Sequence, residues 1–230
     1  MLRNPRTYSQ LNIKFMKPCI IDISSNNGVI NFNKVFAAMA PAKDGKKRVF
    51  IRTSLGYGDK DKSCINYAND AHKAGLTVSY YHFAYPSKKT SGTVIEDAKS
   101  EANYFCDTVA LLPKYEKLVV DCEPFGKGKD TFLTKDEYGQ WLQTFLDTVK
   151  ARTGVDCIIY TYADYLNQHL PANHTFGKYP MFIANYGNIN NPPVSKGWST
   201  YYMWQYSDTG KLDGISTLVD FSSFNPSLGL

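Results

Sequence analysis

The chain has 230 residues, 43% of them hydrophobic and 20% charged, with a formal charge of +5. That composition excludes a mostly disordered chain, and the lack of any apolar run near ~18 residues excludes a membrane-spanning helix. The excess charge is local. Residues 1–18 carry Arg3, Arg6, Lys14 and Lys17 and no acid, while acids and bases nearly balance in the rest. The sequence thus reads as a basic N-terminal tail (1–18) on a single neutral domain (19–230). The tail is either a solvated leader or a contact for an acidic polymer. A nucleic-acid partner is not expected, because the folded body lacks the basic excess such enzymes carry. The stretch from Met1 to Lys17 has no uninterrupted apolar core, so no signal peptide is read and synthesis in the cytoplasm is expected.

After the tail, eight strand-sized runs rich in Val, Ile and Tyr follow in order: Cys19–Ser24, Arg48–Ser54, Leu76–Phe83, Lys117–Glu123, Asp156–Tyr162, Pro180–Asn185, Tyr201–Tyr206 and Thr217–Phe221. Their near-continuous apolarity suits strands covered on both faces, as in a parallel sheet. Helical patterns lie between them. Phe32–Ala40 is short and stops at Pro41; Ser63–Ala74 ends at Gly75, a C′ glycine. Val94, Ala98, Ala102, Phe105 and Val109 mark a third stripe. Thr134 and Glu137 form a capping box that opens a fourth helix, with Tyr138, Trp141, Leu142, Phe145, Leu146 and Val149 on one face. Asp164–Leu170 allows only a short fifth, and Gly187–Thr200 reads as loop. The βαβα alternation predicts an irregular α/β barrel of the TIM type, with about eight strands and about five helices.

The five cysteines, at 19, 64, 106, 122 and 157, are odd in number and widely spaced. They fit neither a disulfide framework nor a zinc site and read as buried thiols of a chain folded in a reducing compartment. No metal or cofactor is expected. Asp59-Lys-Asp61-Lys-Ser63 mimics the start of a calcium loop, but Cys64 and Asp70 stand where such a loop needs Gly and Glu.

Catalytic groups of such barrels sit at strand ends, and here several runs are apolar up to an acid: Asp22 in the first, Asp121 and Glu123 in the fourth, Asp220 in the last. Asp121 and Glu123 are two apart, so in a strand they share a face with Cα atoms ~6.5–7 Å apart. Two carboxylates so close resist ionising together, and the one that stays protonated can act as a general acid. Glycoside hydrolysis uses such a pair; magnesium or calcium binding, or pairing with Arg, are the other readings of a D-x-E motif. Aromatic residues gather at the same end: Tyr81, Tyr85, Tyr162, Tyr186 and Trp204. Tyr80, Phe83 and Tyr160 read as core instead, and His82 as a satisfied core histidine.

Together these pieces resemble the family-25 glycoside hydrolases, lysozymes that cleave peptidoglycan as N-acetylmuramidases. The resemblance runs from Cys19 to Asn225. It rests on IDIS with Asp22, AGLTVSYYHFAYP with Tyr81, LVVDCEP with Asp121 and Glu123, IIYTY with Tyr162, FIANY with Tyr186, WQYSDTG with Trp204 and Gln205, and LVDFSSF with Asp220. It implies Glu123 as general acid, Asp121 as the partner that steers the acetamido group or stabilises the forming cation, and Asp22 and Asp220 as the other two site acids. Tyr81, Tyr162, Tyr186, Trp204, Gln205 and Arg52 would contact sugar. It further implies net retention at the β-1,4 bond from N-acetylmuramic acid to N-acetylglucosamine, without metal or cofactor. Arg52 stands where many members have Lys, and Ser222 where Asn is commoner. Asp213 competes for the role of the last acid but precedes the final strand. A chitinase of family 18 would need an acid at Val119, and a glycan-binding module without catalysis would normally have lost one of the four acids. With peptidoglycan outside the cytoplasm, a phage-type endolysin released through a holin pore, or a protein injected by a delivery machine, is expected.

Overall fold

The computed structural model describes residues 17–88, 92–126, 131–186 and 192–229. The tail expected over 1–18 therefore lies almost wholly outside the described residues, as do residues 187–191 of the expected Gly187–Thr200 loop. Eight strands close into a barrel: β1 (Ile20–Ile23), β2 (Arg48–Leu55), β4 (Thr77–Phe83), β5 (Leu118–Cys122), β6 (Ile158–Tyr162), β7 (Met181–Ala184), β8 (Met203–Gly210) and β9 (Val219–Phe224). β1 pairs with both β2 and β9, which closes the ring. A two-residue strand, β3 (Asp59–Lys60), folds back on β2 outside it. Five helices pack around the barrel: α1 (Phe32–Ala38), α2 (Cys64–Lys73), α3 (Val94–Val109), α4 (Lys135–Thr153) and α5 (Ala163–His169).

Local chemistry accounts for the helix limits. The Thr134 hydroxyl accepts from the Glu137 amide and the Glu137 carboxylate returns to the Thr134 amide, so two unpaired donors at the start of α4 are satisfied together. α2 stops where Gly75 takes φ +88, a conformation that a Cβ disfavours. α4 lays Tyr138, Trp141, Leu142, Phe145, Leu146 and Val149 onto the barrel, all buried.

One expectation fails. The sheet is not all parallel: β9 runs antiparallel to both neighbours. The eight residues from Lys211 to Leu218 between β8 and β9 contain no helix, and so short a link makes a hairpin rather than a parallel crossover. The reversal has a consequence for chemistry. Asp220 is the second residue of β9, yet it lies opposite Asp22 in register. Because β9 runs backwards, its beginning sits at the end of the barrel where the parallel strands finish.

Side chains inside the barrel form two zones. Ile20, Phe50, Val119, Ile158, Phe182, Met203 and Phe224 make an apolar plug. Two residues toward the mouth on the same strand faces come Asp22, Arg52, Asp121, Tyr160, Ala184, Gln205 and Ser222, the last on reversed β9.

Candidate active site

The mouth holds a pocket of about 220 Å³ lined by Asp22, Arg52, Tyr81, Asp121, Glu123, Tyr162, Tyr186, Gln205 and Asp220, joined by Ser24, Asn26, Phe83 and Tyr160. Nine of the ten residues named as site candidates from sequence are therefore brought together. Trp204 is not among the lining residues. It precedes Gln205 in β8, and successive side chains of a strand point to opposite faces. Its indole packs into the layer between barrel and helices, and its Nε1 donates to the Asn185 carbonyl at 2.8 Å. Asp213 is exposed and pairs with Lys34 on the surface.

The acids sit on a hydrogen-bonded frame. Gln205 Nε2 donates to Asp22 Oδ2 at 2.9 Å, while Gln205 Oε1 accepts from the hydroxyls of Tyr160 (2.8 Å) and Tyr186 (2.7 Å). With its oxygen occupied by two donors, the amide must present its N–H to Asp22. Asp22 also hydrogen-bonds Asp220 across the β1–β9 pair. Tyr160 and Phe83, read as core from sequence, belong to this wall. The alternation of Ile158, Tyr160 and Tyr162 was the available sign that Tyr160 points inward.

Burial is the main cause of every acid's displaced ionisation. Asp22 is held well above the usual carboxylate range by burial and then by Asp220. Asp121 is raised by burial and then by the charges of Glu123 and Asp22, and Asp220 by burial. Glu123 is pushed up to about 7 by burial, with Asp220 adding to the rise, although a Tyr162 hydrogen bond and the Arg52 charge hold it down. A carboxyl that ionises near neutrality can both give and take a proton under ordinary conditions. Asp121 lines the pocket, and its Oδ1 is buried without a hydrogen-bond partner among the described residues.

Glu123 lies just past the end of β5 and also borders a second, more open hollow formed with Pro124, Tyr162, Tyr165 and Gln168. The acid thus stands on the ridge between a deep polar pocket and an open groove. His82 is on the opposite face of β4. It is fully buried, held by Ser54 Oγ at Nδ1 and Glu101 Oε2 at Nε2, each at 2.8 Å, and stacked on Phe145. It is a core residue, as its sequence setting suggests. No cluster of potential metal ligands occurs among the described residues.

A barrel with four carboxylates gathered at one mouth is the architecture of a glycoside hydrolase. Residues 21–215 match the family model described as glycosyl hydrolases family 25, and the chain belongs to that family. Asp220 lies beyond the matched stretch. The chain is 32% identical over 213 residues to lysozyme M1 of Streptomyces globisporus, covering 90% of this chain and 67% of that protein. It is 28% identical to an autolytic lysozyme of Clostridium acetobutylicum, covering 89% of this chain but only 55% of that protein. The crystal structure of a lysozyme from Streptomyces coelicolor superposes with a TM-score of 0.75 at 28% identity, covering 89% of this chain and 90% of that one.

Proposed function

We propose that the chain is a peptidoglycan lysozyme that hydrolyses the β-1,4 bond from N-acetylmuramic acid to N-acetylglucosamine. The observation that carries this reading is Glu123, with its carboxyl at about 7, on the ridge between the deep pocket and the open groove. A glycosidic oxygen bridging those two hollows would sit beside the acid. The donor sugar then occupies the pocket, and the leaving sugar lies over Pro124, Tyr165 and Gln168. Glu123 gives its proton to the departing oxygen. The donor's acetamido oxygen attacks C1 from the opposite side as that bond breaks, and the Asp121 carboxyl, which lines the pocket, accepts the acetamido N–H. Water then opens the cyclic intermediate, returning its proton to Glu123, with net retention.

The setting is proposed to be that of a phage-type endolysin, made in the cytoplasm and given access to the wall through a holin pore or a delivery machine. All five cysteines are free thiols, which suits folding in a reducing compartment.

The test is digestion of purified peptidoglycan by wild type and Glu123→Gln, with new reducing ends read by mass spectrometry. N-acetylmuramic acid ends from wild type alone are expected. N-acetylglucosamine ends would overturn the bond assignment, and glycan binding without new ends would make the chain a binding module. For the setting, lysis on expression should require a co-expressed holin; lysis without one would overturn it.

A further inference from the structure

Arg52 is the one cation among the described residues that line the acid pocket, and its position depends on a residue that lies outside that pocket. The pairing of β2 with β4 slips between Arg52 and Ser54, leaving Thr53 as an extra residue. Such bulges re-aim a strand and free a backbone group. Here the Thr53 carbonyl accepts the Asp61 amide at 2.9 Å, which draws Asp61 back over the end of β2. The Asp61 side chain is fully buried and accepts three hydrogen bonds from three elements. Oδ2 takes the Ser25 amide and Arg52 Nε, both at 3.0 Å, and Oδ1 takes the Ser63 amide at 3.0 Å, ahead of α2.

A carboxylate buried to this degree is tolerable only because every bond is charge-assisted or made to a backbone donor. Each bond also fixes something at the mouth. The Ser25 bond anchors the turn that carries Ser24 and Asn26, two lining residues. The Arg52 bond uses Nε alone, and the two Nη groups make no hydrogen bond to any described residue. A guanidinium can be gripped through Nε and still offer its other nitrogens elsewhere, whereas a lysine ammonium has a single nitrogen.

We propose that Asp61 is a positioning residue. It clamps Arg52 through Nε so that the Nη groups stay in the acid pocket, free to donate to an oxygen acceptor on the donor sugar. The proposal rests on the lysozyme reading for its ligand, but the clamp itself does not. The Arg52 charge acts on Asp121 of β5, on Glu123 just past it and on Tyr81 of β4, lowering each against the opposing effect of burial. Asp22 of β1 and Asp220 of β9 complete the charged groups around it.

The experiment is NMR titration of the Glu123 carboxyl in wild type, Asp61→Asn, Arg52→Lys, Arg52→Gln and the Asp61→Asn/Arg52→Gln double variant. If Asp61 holds the cation in place, Asp61→Asn raises the Glu123 midpoint by about half a pH unit. The double variant then moves no further than Arg52→Gln alone. A midpoint untouched by Asp61→Asn, or fully additive shifts, would overturn the clamp and leave Asp61 a structural group. Should Asp61→Asn not fold, Arg52→Lys decides: its ammonium drawn onto Asp61 gives nearly the Arg52→Gln midpoint, and a wild-type midpoint overturns the proposal. On peptidoglycan, Asp61→Asn should lower kcat/KM about tenfold, mainly through KM. A wild type without any activity would sink the lysozyme reading, while the titration would still judge the clamp.

Discussion

The two ends of the barrel both bury charge, and they treat it in opposite ways. At the floor Arg48 is nearly inaccessible, yet it reaches Asp44 through both Nη groups and Glu116 through Nε and Nη2, and lies over the Phe224 ring. Hydrogen bonds from Arg48 hold Asp44 down at about 2. Burial works to raise Glu116, but bonds from Arg48 and Lys46 outweigh it and its carboxyl is lowered. At the mouth four acids share one arginine, and all four are raised. Carboxylate type and burial alone do not set the outcome. Burial is the first cause of the rise at the mouth, and at the floor, where Asp44 is exposed and Glu116 half-buried, the bonds from Arg48 and Lys46 outweigh a smaller burial. The floor is satisfied and structural, whereas at the mouth burial, offset only in part by the Tyr162 hydrogen bond and the Arg52 charge, keeps a proton on Glu123.

The largest effect expected from breaking this contrast is on turnover. Glu123→Gln should lower kcat by ~10²–10⁴ with the fold kept, as loss of a general acid does. In the wild type, kcat/KM should fall as pH rises through about 7, because the acid form of Glu123 is lost there. A rate independent of pH between 6 and 8 would separate Glu123 from proton transfer.

At the floor, Arg48→Met leaves Asp44 and Glu116 beside an apolar side chain, with Lys46 as their remaining cation. Their partial exposure reduces the penalty for a broken buried pair to ~2 kcal/mol, a fall of about 4–8 °C in Tm by thermal melting. Activity per folded molecule should survive.

The mouth should respond with the opposite sign. A carboxyl whose folded value is raised favours the fold at low pH and costs stability as pH rises above its unfolded value. Asp22→Asn keeps an acceptor for Gln205 and a donor for Asp220 while removing that cost. It should raise Tm by about 2–6 °C at pH 7.5, with little change at pH 4, and lower activity. An unchanged melt at pH 7.5 would mean that the mouth is not electrostatically strained. The smallest effect is expected for Asp44→Asn. The Asp44 contribution is present above its ordinary value of 3.8 and fades as pH falls toward about 2. Loss of this part-exposed pair should cost ~1 kcal/mol or less at pH 7, and progressively less as pH falls through about 2.

Much of this was legible before any fold was known. Asp22, Asp121 and Glu123 stand out because each closes an apolar run, and spacing by two puts Asp121 and Glu123 on one face. The capping box at Thr134 and the stop at Gly75 mark helix ends through chemistry local to a few residues. Trp204 misled because aromatic content at a strand end does not reveal which face a residue takes; the neighbouring Gln205 took the inner one. Tyr160 was passed over for the converse reason, since a buried tyrosine in a strand reads as core until its hydroxyl is seen to meet Gln205.

What the sequence determined by itself is periodic or local: eight apolar runs, five helical stripes and the acids that end several of the runs. These depend on alternation and capping within a few residues. Only the tertiary structure decided which acids meet. Asp220 reaches the mouth because a short connection reverses β9, and Asp61 reaches Arg52 because β3 folds back on β2 and sets Asp61 opposite Thr53. Both are matters of strand direction and register, which are set by long-range pairing.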